Sequence, residues 1–212
     1  MSRIIIFANG ELLDLEKART LIGVEDVIIC ADGGTRHALA LGLKPALIVG
    51  DLDSITEAEL QQANAKVSQY PRDKNQTDLE LALNQALLQN PTSILIVAGL
   101  GNRLDQTIAN LALLSDPRLS GLDARFDDGL EEVFFCRVQS EVRGKAGDTV
   151  SLIPWKGAVS GIRTQGLRWT LNHETLYPDK TRGISNEMTG SAAQVSIETG
   201  LLLIVHRRQS TK

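Results

Sequence analysis

Leu47-Ile48-Val49-Gly50-Asp51-Leu52-Asp53-Ser54 is a strand-length apolar run that stops at a glycine and two aspartates. Side chains alternate across an extended segment, so Asp51 and Asp53, two residues apart, are expected on one side of the strand end. Such a pair can hold a hard cation. Mg2+ takes one or two carboxylates and draws its other ligands from water and substrate phosphates, and Gly50 lets a ligand approach the backbone. Ser54, with Glu57 three residues on, matches a capping box and is expected to cap the next helix. Capping leaves the two aspartates unexplained, and a metal or phosphate role is the reading that accounts for them.

The pattern extends on both sides of this run. Arg3 to Ala8, Val27 to Ala31, Ala46 to Val49 and Ile94 to Ala98 read as strands separated by amphipathic segments, the signature of a mostly parallel sheet with flanking helices. Each ends at a polar or glycine-rich loop: Asn9-Gly10, Asp32-Gly33-Gly34-Thr35, Gly50 to Ser54, and Gly99-Leu100-Gly101-Asn102-Arg103. Open α/β sheets bind ligands outside the carboxyl ends of their strands, so these loops are expected to build one site.

Between the third and the later strand, Tyr70 to Glu80 runs as a polar loop into a helix whose Leu79, Ala82, Leu83, Ala86 and Leu87 recur at helical spacing. Thr77 with Glu80 makes a capping box, which predicts a helix starting near Asp78. A helix N-terminus suits phosphate, and Lys74 just upstream adds a mobile cation. Asp78 reads either as a ligand or as simple compensation of the helix dipole. In the fourth loop Gly99-Leu100-Gly101 is no Rossmann fingerprint, since Leu104 stands where the third glycine belongs. Arg103 either grips phosphate or pairs with Asp105 on the surface. The helix that follows carries Leu104, Ile108, Leu111 and Ala112 on one side.

The chain has 212 residues, 42% hydrophobic and 23% charged, with a net charge of -4. That is enough for one large or two small globular domains. The acidic balance and the lack of a basic cluster argue against nucleic-acid binding. No apolar run reaches the ~20 residues that span a bilayer, and the start of the chain has no leader pattern, so a cytoplasmic protein is expected. Cys30 and Cys136 share no metal-ligand spacing and read as buried free thiols. From about Ser120 to Gly144 the pattern is less regular, with Asp127 to Glu132 read as a solvated acidic surface loop or strand approach. Beyond it, Thr149 to Ile153, Val159 to Thr164, Leu167 to Leu171, Gln194 to Glu198 and Leu201 to Arg207 read as strands of an all-β module. We therefore expect an α/β domain over 1–125 and a C-terminal β-sandwich domain over 140–212.

Six stretches in this order resemble the motif set of the thiamine pyrophosphokinase family. They are Ala31-Asp32-Gly33-Gly34, Gly50 to Ser54, Lys74 to Asp78, Gly101 to Gln106, Thr164 to Trp169, and Gly183-Ile184-Ser185-Asn186-Glu187. Asn75 and Asn102 depart from it, standing where the family often has an acidic residue and a second glycine. The resemblance implies an ATP-binding α/β domain, a thiamine-binding β-sandwich and a homodimer with sites between subunits. It implies transfer of diphosphate from ATP to the thiamine hydroxyl with Mg2+. Asp51, Asp53 and Asp78 would be metal carboxylates, with Asp32 and Asp105 nearby. Asp78 or Asp105 would orient the attacking hydroxyl. Lys74 and Arg103 would steady phosphates, with Gly33, Gly34, Ser54, Thr77 and Gln106 also on the nucleotide side. Thiamine, a cation joined to a flat pyrimidine, asks for an aromatic surface and hydrogen-bonding groups. Trp169, Ser185 and Asn186 are the candidates, although Trp169 would share a strand face with Leu167 and Leu171 and so reads equally as core. A pterin-like acceptor, or a nucleotide-binding module without turnover, are the alternatives.

Overall fold

The computed structural model describes residues 2–101 and 103–209; the departure at Asn102 lies outside them. The chain divides into two compact units, Met1–Gly129 and Leu130–Lys212.

In the first unit the apolar runs become strands β1 (Arg3–Phe7), β2 (Val27–Ala31), β3 (Leu47–Gly50), β4 (Lys66–Gln69), β5 (Ser93–Val97) and β6 (Asp123–Asp127). They lie in the order β6-β5-β1-β2-β3-β4, and the paired neighbours are parallel. Ile4, Ile5, Ile6 and Phe7 are all buried, as a strand covered on both faces requires. The connections carry α1 (Leu15–Thr20), α2 (Thr35–Ala40), α3 (Glu57–Ala63), α4 (Asp78–Leu87) and α5 (Leu104–Leu114). The chain starts at β1, works outward through β2, β3 and β4, then returns to the other side of β1 as β5 and β6. That reversal opens a crevice between the carboxyl ends of β1 and β5, the usual ligand position in such sheets.

Local details correct the sequence expectations. The strand ends at Gly50, and Leu52 takes φ +68, so the alternation that would align Asp51 with Asp53 has already ceased. Ser54 does not cap α3. Thr56 does, two residues on, with a complete capping box to Glu59. Thr77 caps α4 as expected, accepting the Glu80 N–H, while the Glu80 carboxylate turns instead to the Gln76 amide. The apolar side of α4 is buried, but α5 turns Leu104 and Ile108 to the exterior and buries Asn110 and Leu114. Edge strand β4, mostly polar and exposed, carries too little hydrophobic signal to be read from the sequence.

The second unit is antiparallel: β7 (Glu131–Cys136), β8 (Gln139–Arg143), β9 (Thr149–Pro154), β10 (Val159–Gln165), β11 (Asn172–Leu176), β12 (Asn186–Glu187), β13 (Ala192–Ser196) and β14 (Leu202–Arg207). One group runs β12-β9-β14-β7 and a second sheet runs β11-β10-β13-β8. Their inward residues, among them Phe134, Val150, Leu152 and Ile204 against Val142, Ile162 and Val195, share one core, which makes the module a sandwich. Two expectations fail here. Leu167 to Leu171 is an irregular turn, bridged at Leu167 to Met188, not a strand. The stretch from 120 to 144 contains β6, β7 and β8, and its acidic segment is the approach from β6 to β7 but is not solvated: Asp127 and Glu132 are buried. Asp127 accepts the Gly129 N–H at 2.8 Å, and Glu132 faces His206 at 3.2 Å. Both cysteines are free and buried, and burial pushes the Cys30 thiol up to about 12. Among the described residues no helix is long and apolar enough to cross a membrane.

Candidate active site

At the carboxyl ends of the first unit's strands lies a cleft of about 600 Å³. Each strand contributes through the residues just past its end: Ala8, Asn9 and Gly10 after β1, Asp32 after β2, Asp51, Asp53 and Ser54 after β3, and Gly99 and Gly101 after β5. Lys74, Thr77 and Asp78 line it from the start of α4, and Arg103, Gln106 and Asn110 from α5 and its approach. The mouth is held together by backbone bonds across the crevice, Ala8 N–H to Val97 O at 2.9 Å and Gly10 N–H to Ala98 O at 2.8 Å.

Three carboxylates meet at its floor. Asp32, Asp51 and Asp78 each place an oxygen within 4.8 Å of the others. Asp32 gets there because it begins a 3-10 turn at φ +44, and Asp78 because it is the first residue of α4. Lys74 reaches Asp51 Oδ2 at 3.3 Å and Asp78 Oδ1 at 3.1 Å. Asp78 Oδ1 meets Lys74 as an ion pair, and it and Asp32 Oδ1 are buried oxygens with no hydrogen-bond partner among the described residues. Burial lifts the Asp78 carboxyl above the ordinary range, against the pull of Lys74 and with help from the neighbouring Asp32 and Asp51 charges. Burial works on Asp51 too, but the Asp53 N–H, Lys74 and Arg72 outweigh it and hold that carboxyl low. Buried carboxylate oxygens crowded together without donors are what a hard cation satisfies. The donor set therefore fits Mg2+.

The remaining residues sort by position. Asp53 lines the cleft but lies outside the trio: its N–H donates to Asp51 Oδ1 at 3.3 Å, and its carboxylate takes Ser54 Oγ at 3.1 Å and Arg72 at 3.5 Å. Arg103 donates to Asp105 through Nε at 3.1 Å, and this exposed pair holds the Asp105 carboxyl low. Asp105 is not part of the cleft wall. Gly33 and Gly34 are not either; an added Cβ would run into Asn9 Oδ1 at the first and the Phe7 carbonyl at the second, so both are close-packed positions. Asn110 escaped the sequence analysis. It donates to the Gly99 carbonyl at 2.7 Å, and its signal was a polar residue among Ile108, Leu111 and Leu114.

In the second unit Trp169 is not core: it is 54% exposed, between buried Leu167 and Leu171. The Arg168 guanidinium lies 4.9 Å from its ring centroid. Asn186 is buried, while Ser185 is exposed at φ +58 with its N–H on Ser151 Oγ at 3.0 Å.

Residues 18–130 match the profile of the thiamin pyrophosphokinase catalytic domain, and residues 136–202 that of the thiamin pyrophosphokinase vitamin B1 binding domain. This chain belongs to the thiamin pyrophosphokinase family. It is 30% identical over 182 residues to the thiamine pyrophosphokinase of Bacillus subtilis, covering 84% of this chain and 85% of that one. The crystal structure of thiamine pyrophosphokinase from Bacillus subtilis superposes with a TM-score of 0.88 at 26% identity, covering 99% of this chain and 100% of the other. That from Geobacillus thermodenitrificans gives 0.85 at 25% identity, with 100% and 99% covered. The yeast thiamin pyrophosphokinase, at 16% identity and 0.79, with 97% and 86% covered, shares the fold. Membership makes the chain a diphosphate-transferring enzyme with ATP as co-substrate, and the mixed α/β unit followed by an antiparallel β module is the family's architecture.

Proposed function

We propose that Asp32, Asp51 and Asp78 hold Mg2+ beneath the phosphates of ATP in the first unit, and that the second unit presents thiamine through Trp169. The observation that carries this is the trio itself, with two buried oxygens lacking donors at the floor of a cleft walled by Lys74 and Arg103. Carboxylates so placed would repel a polyphosphate unless a cation stood between them. When bound, Mg2+ neutralises the phosphate oxygens and orients them.

The chemistry assigns the other groups. Formation of AMP and thiamine diphosphate requires the thiamine hydroxyl oxygen to attack the β-phosphorus of ATP. The bond from that phosphorus to the oxygen bridging the α-phosphate breaks, AMP leaves, and the hydroxyl proton passes to a base or to water. Such transfers need position and charge neutralisation more than covalent help. Lys74 and Arg103 supply positive charge, Arg103 being aimed by Asp105. Asp78 lines the cleft and Asp105 does not, so of the two Asp78 is the one to orient the hydroxyl. Thr77, Ser54 and Gln106 offer polar contacts at the wall, and Asp53 acts from the rim through water. An exposed indole suits a flat heterocycle, and Ser185 is the chain neighbour of Asn186, whose side chain meets the Trp169 backbone. The match to a vitamin B1 binding domain favours thiamine over a pterin-like acceptor.

The test is a set of isosteric variants assayed across Mg2+ concentrations. D32N, D51N and D78N should each lower kcat by about a hundredfold or more and raise the Mg2+ requirement, while D53N loses on the order of tenfold. Near-normal turnover and unchanged Mg2+ dependence in folded D78N would rule the assignment out.

A further inference from the structure

An exposed tryptophan on an irregular segment would ordinarily be mobile, and ordering it on binding costs affinity. Here several bonds hold the backbone of that segment, among them Leu171 N–H to Thr164 Oγ1 at 2.8 Å, and one side chain clasps it at Trp169 itself. The Asn186 carboxamide meets Trp169 twice: Oδ1 accepts the Trp169 N–H at 3.0 Å, and Nδ2 donates to the Trp169 carbonyl at 2.7 Å. Oδ1 also accepts the Glu187 N–H at 2.9 Å. Next to it, the Arg168 N–H donates to the Glu187 carbonyl at 2.9 Å and its guanidinium to the Glu187 carboxylate at 2.8 Å, which keeps that guanidinium against the indole.

Asn186 is 5% exposed. Both ends of its amide are committed to main chain, so it cannot turn to a ligand without releasing Trp169. We propose that Asn186 is a positioning residue for the acceptor: it acts through the Trp169 backbone, holding the indole outside the sandwich with one face backed by Arg168 and the other open to a flat heterocycle. Asparagine suits this place because it alone offers an acceptor and a donor at the reach of an aspartate. The proposal rests on Trp169 meeting thiamine, and it replaces direct hydrogen bonding from Asn186 to the vitamin.

The experiment is a double-mutant cycle with a spectroscopic arm. N186A should raise the KM for thiamine about tenfold, with kcat and the KM for ATP changed less than about twofold. W169A should do at least as much, and W169A/N186A should be no worse than W169A alone, because a residue that acts only through another adds nothing once that one is gone. In a W155F background, where Trp169 is the single tryptophan, N186A should add fast local motion to the Trp169 anisotropy decay. Should N186A fail to fold, N186D keeps the acceptor and loses the donor, and it carries the same comparisons. Multiplying losses in the double variant, or an unchanged anisotropy decay, would overturn the clasp. A thiamine KM indifferent to W169A would instead overturn the role of Trp169, and with it the acceptor role of Asn186.

Discussion

A Cβ on Gly50 would stand 2.9 Å from Asp32 Cβ and 3.1 Å from Asp78 Oδ1, at a backbone φ of +152 that side chains rarely adopt. Gly50 is therefore what lets the three carboxylates close to within 4.8 Å. G50A should lose turnover about as severely as loss of a carboxylate, on the order of a hundredfold, and should also unfold at lower temperature. Activity within a few-fold of wild type would mean that the convergence is not needed. At this scale the sequence shows part of the site. Asp51 follows a strand and a glycine, and Asp78 follows a cap, so both positions can be read from local signals. The place of Asp32 beside them cannot, because it depends on a positive φ at Asp32 and on the two close-packed glycines that follow it. Asp53 misleads for the same kind of reason: a left-handed Leu52 breaks the alternation on which its pairing with Asp51 was expected.

The strongly apolar elements β1, β2, β3 and β5 and the helix α4 are legible because burial on both faces, or on one, leaves a clear period. Elements that depend on partners are not. β6 and β7 carry Asp127 and Glu132, whose burial is made tolerable by the Gly129 N–H and by His206. In α5 the helical period is real but faces outward, with Leu104 74% and Ile108 52% exposed. In the β module, Asp148 is buried against His206 Nε2 at 3.1 Å and accepts the N–H groups of Lys145 and Gln209, each at 2.9 Å. Burial alone would raise its carboxyl, but Gln209, Lys145 and His206 together hold it below the ordinary range. A depressed carboxyl contributes stability at neutral pH that is lost as pH falls through the usual carboxylate range and below. D148N should thus be less stable by about 3 kcal/mol at neutral pH, and the gap should narrow in acid. Urea unfolding at pH steps checks this, and a gap that is constant or grows in acid would contradict it.

Over the whole molecule, the division after Gly129 separates two kinds of chemistry. The parallel unit gathers charge at strand ends, where main-chain loops can meet around phosphates. The sandwich has an apolar core and offers an exposed indole on a fastened turn. The order of elements made both architectures readable, whereas the boundary region hid three strands behind charged residues, of which Glu132 meets its partner His206 far along the chain. The most direct measurement is AMP formation by the purified protein with Mg2+ and ATP, run with thiamine, with a hydroxymethyl pterin and with no acceptor. The expected result is AMP released only with thiamine, matched one to one by thiamine diphosphate, and abolished by removing Mg2+. AMP release that ignores thiamine, or runs as fast with the pterin or without a divalent cation, would contradict it.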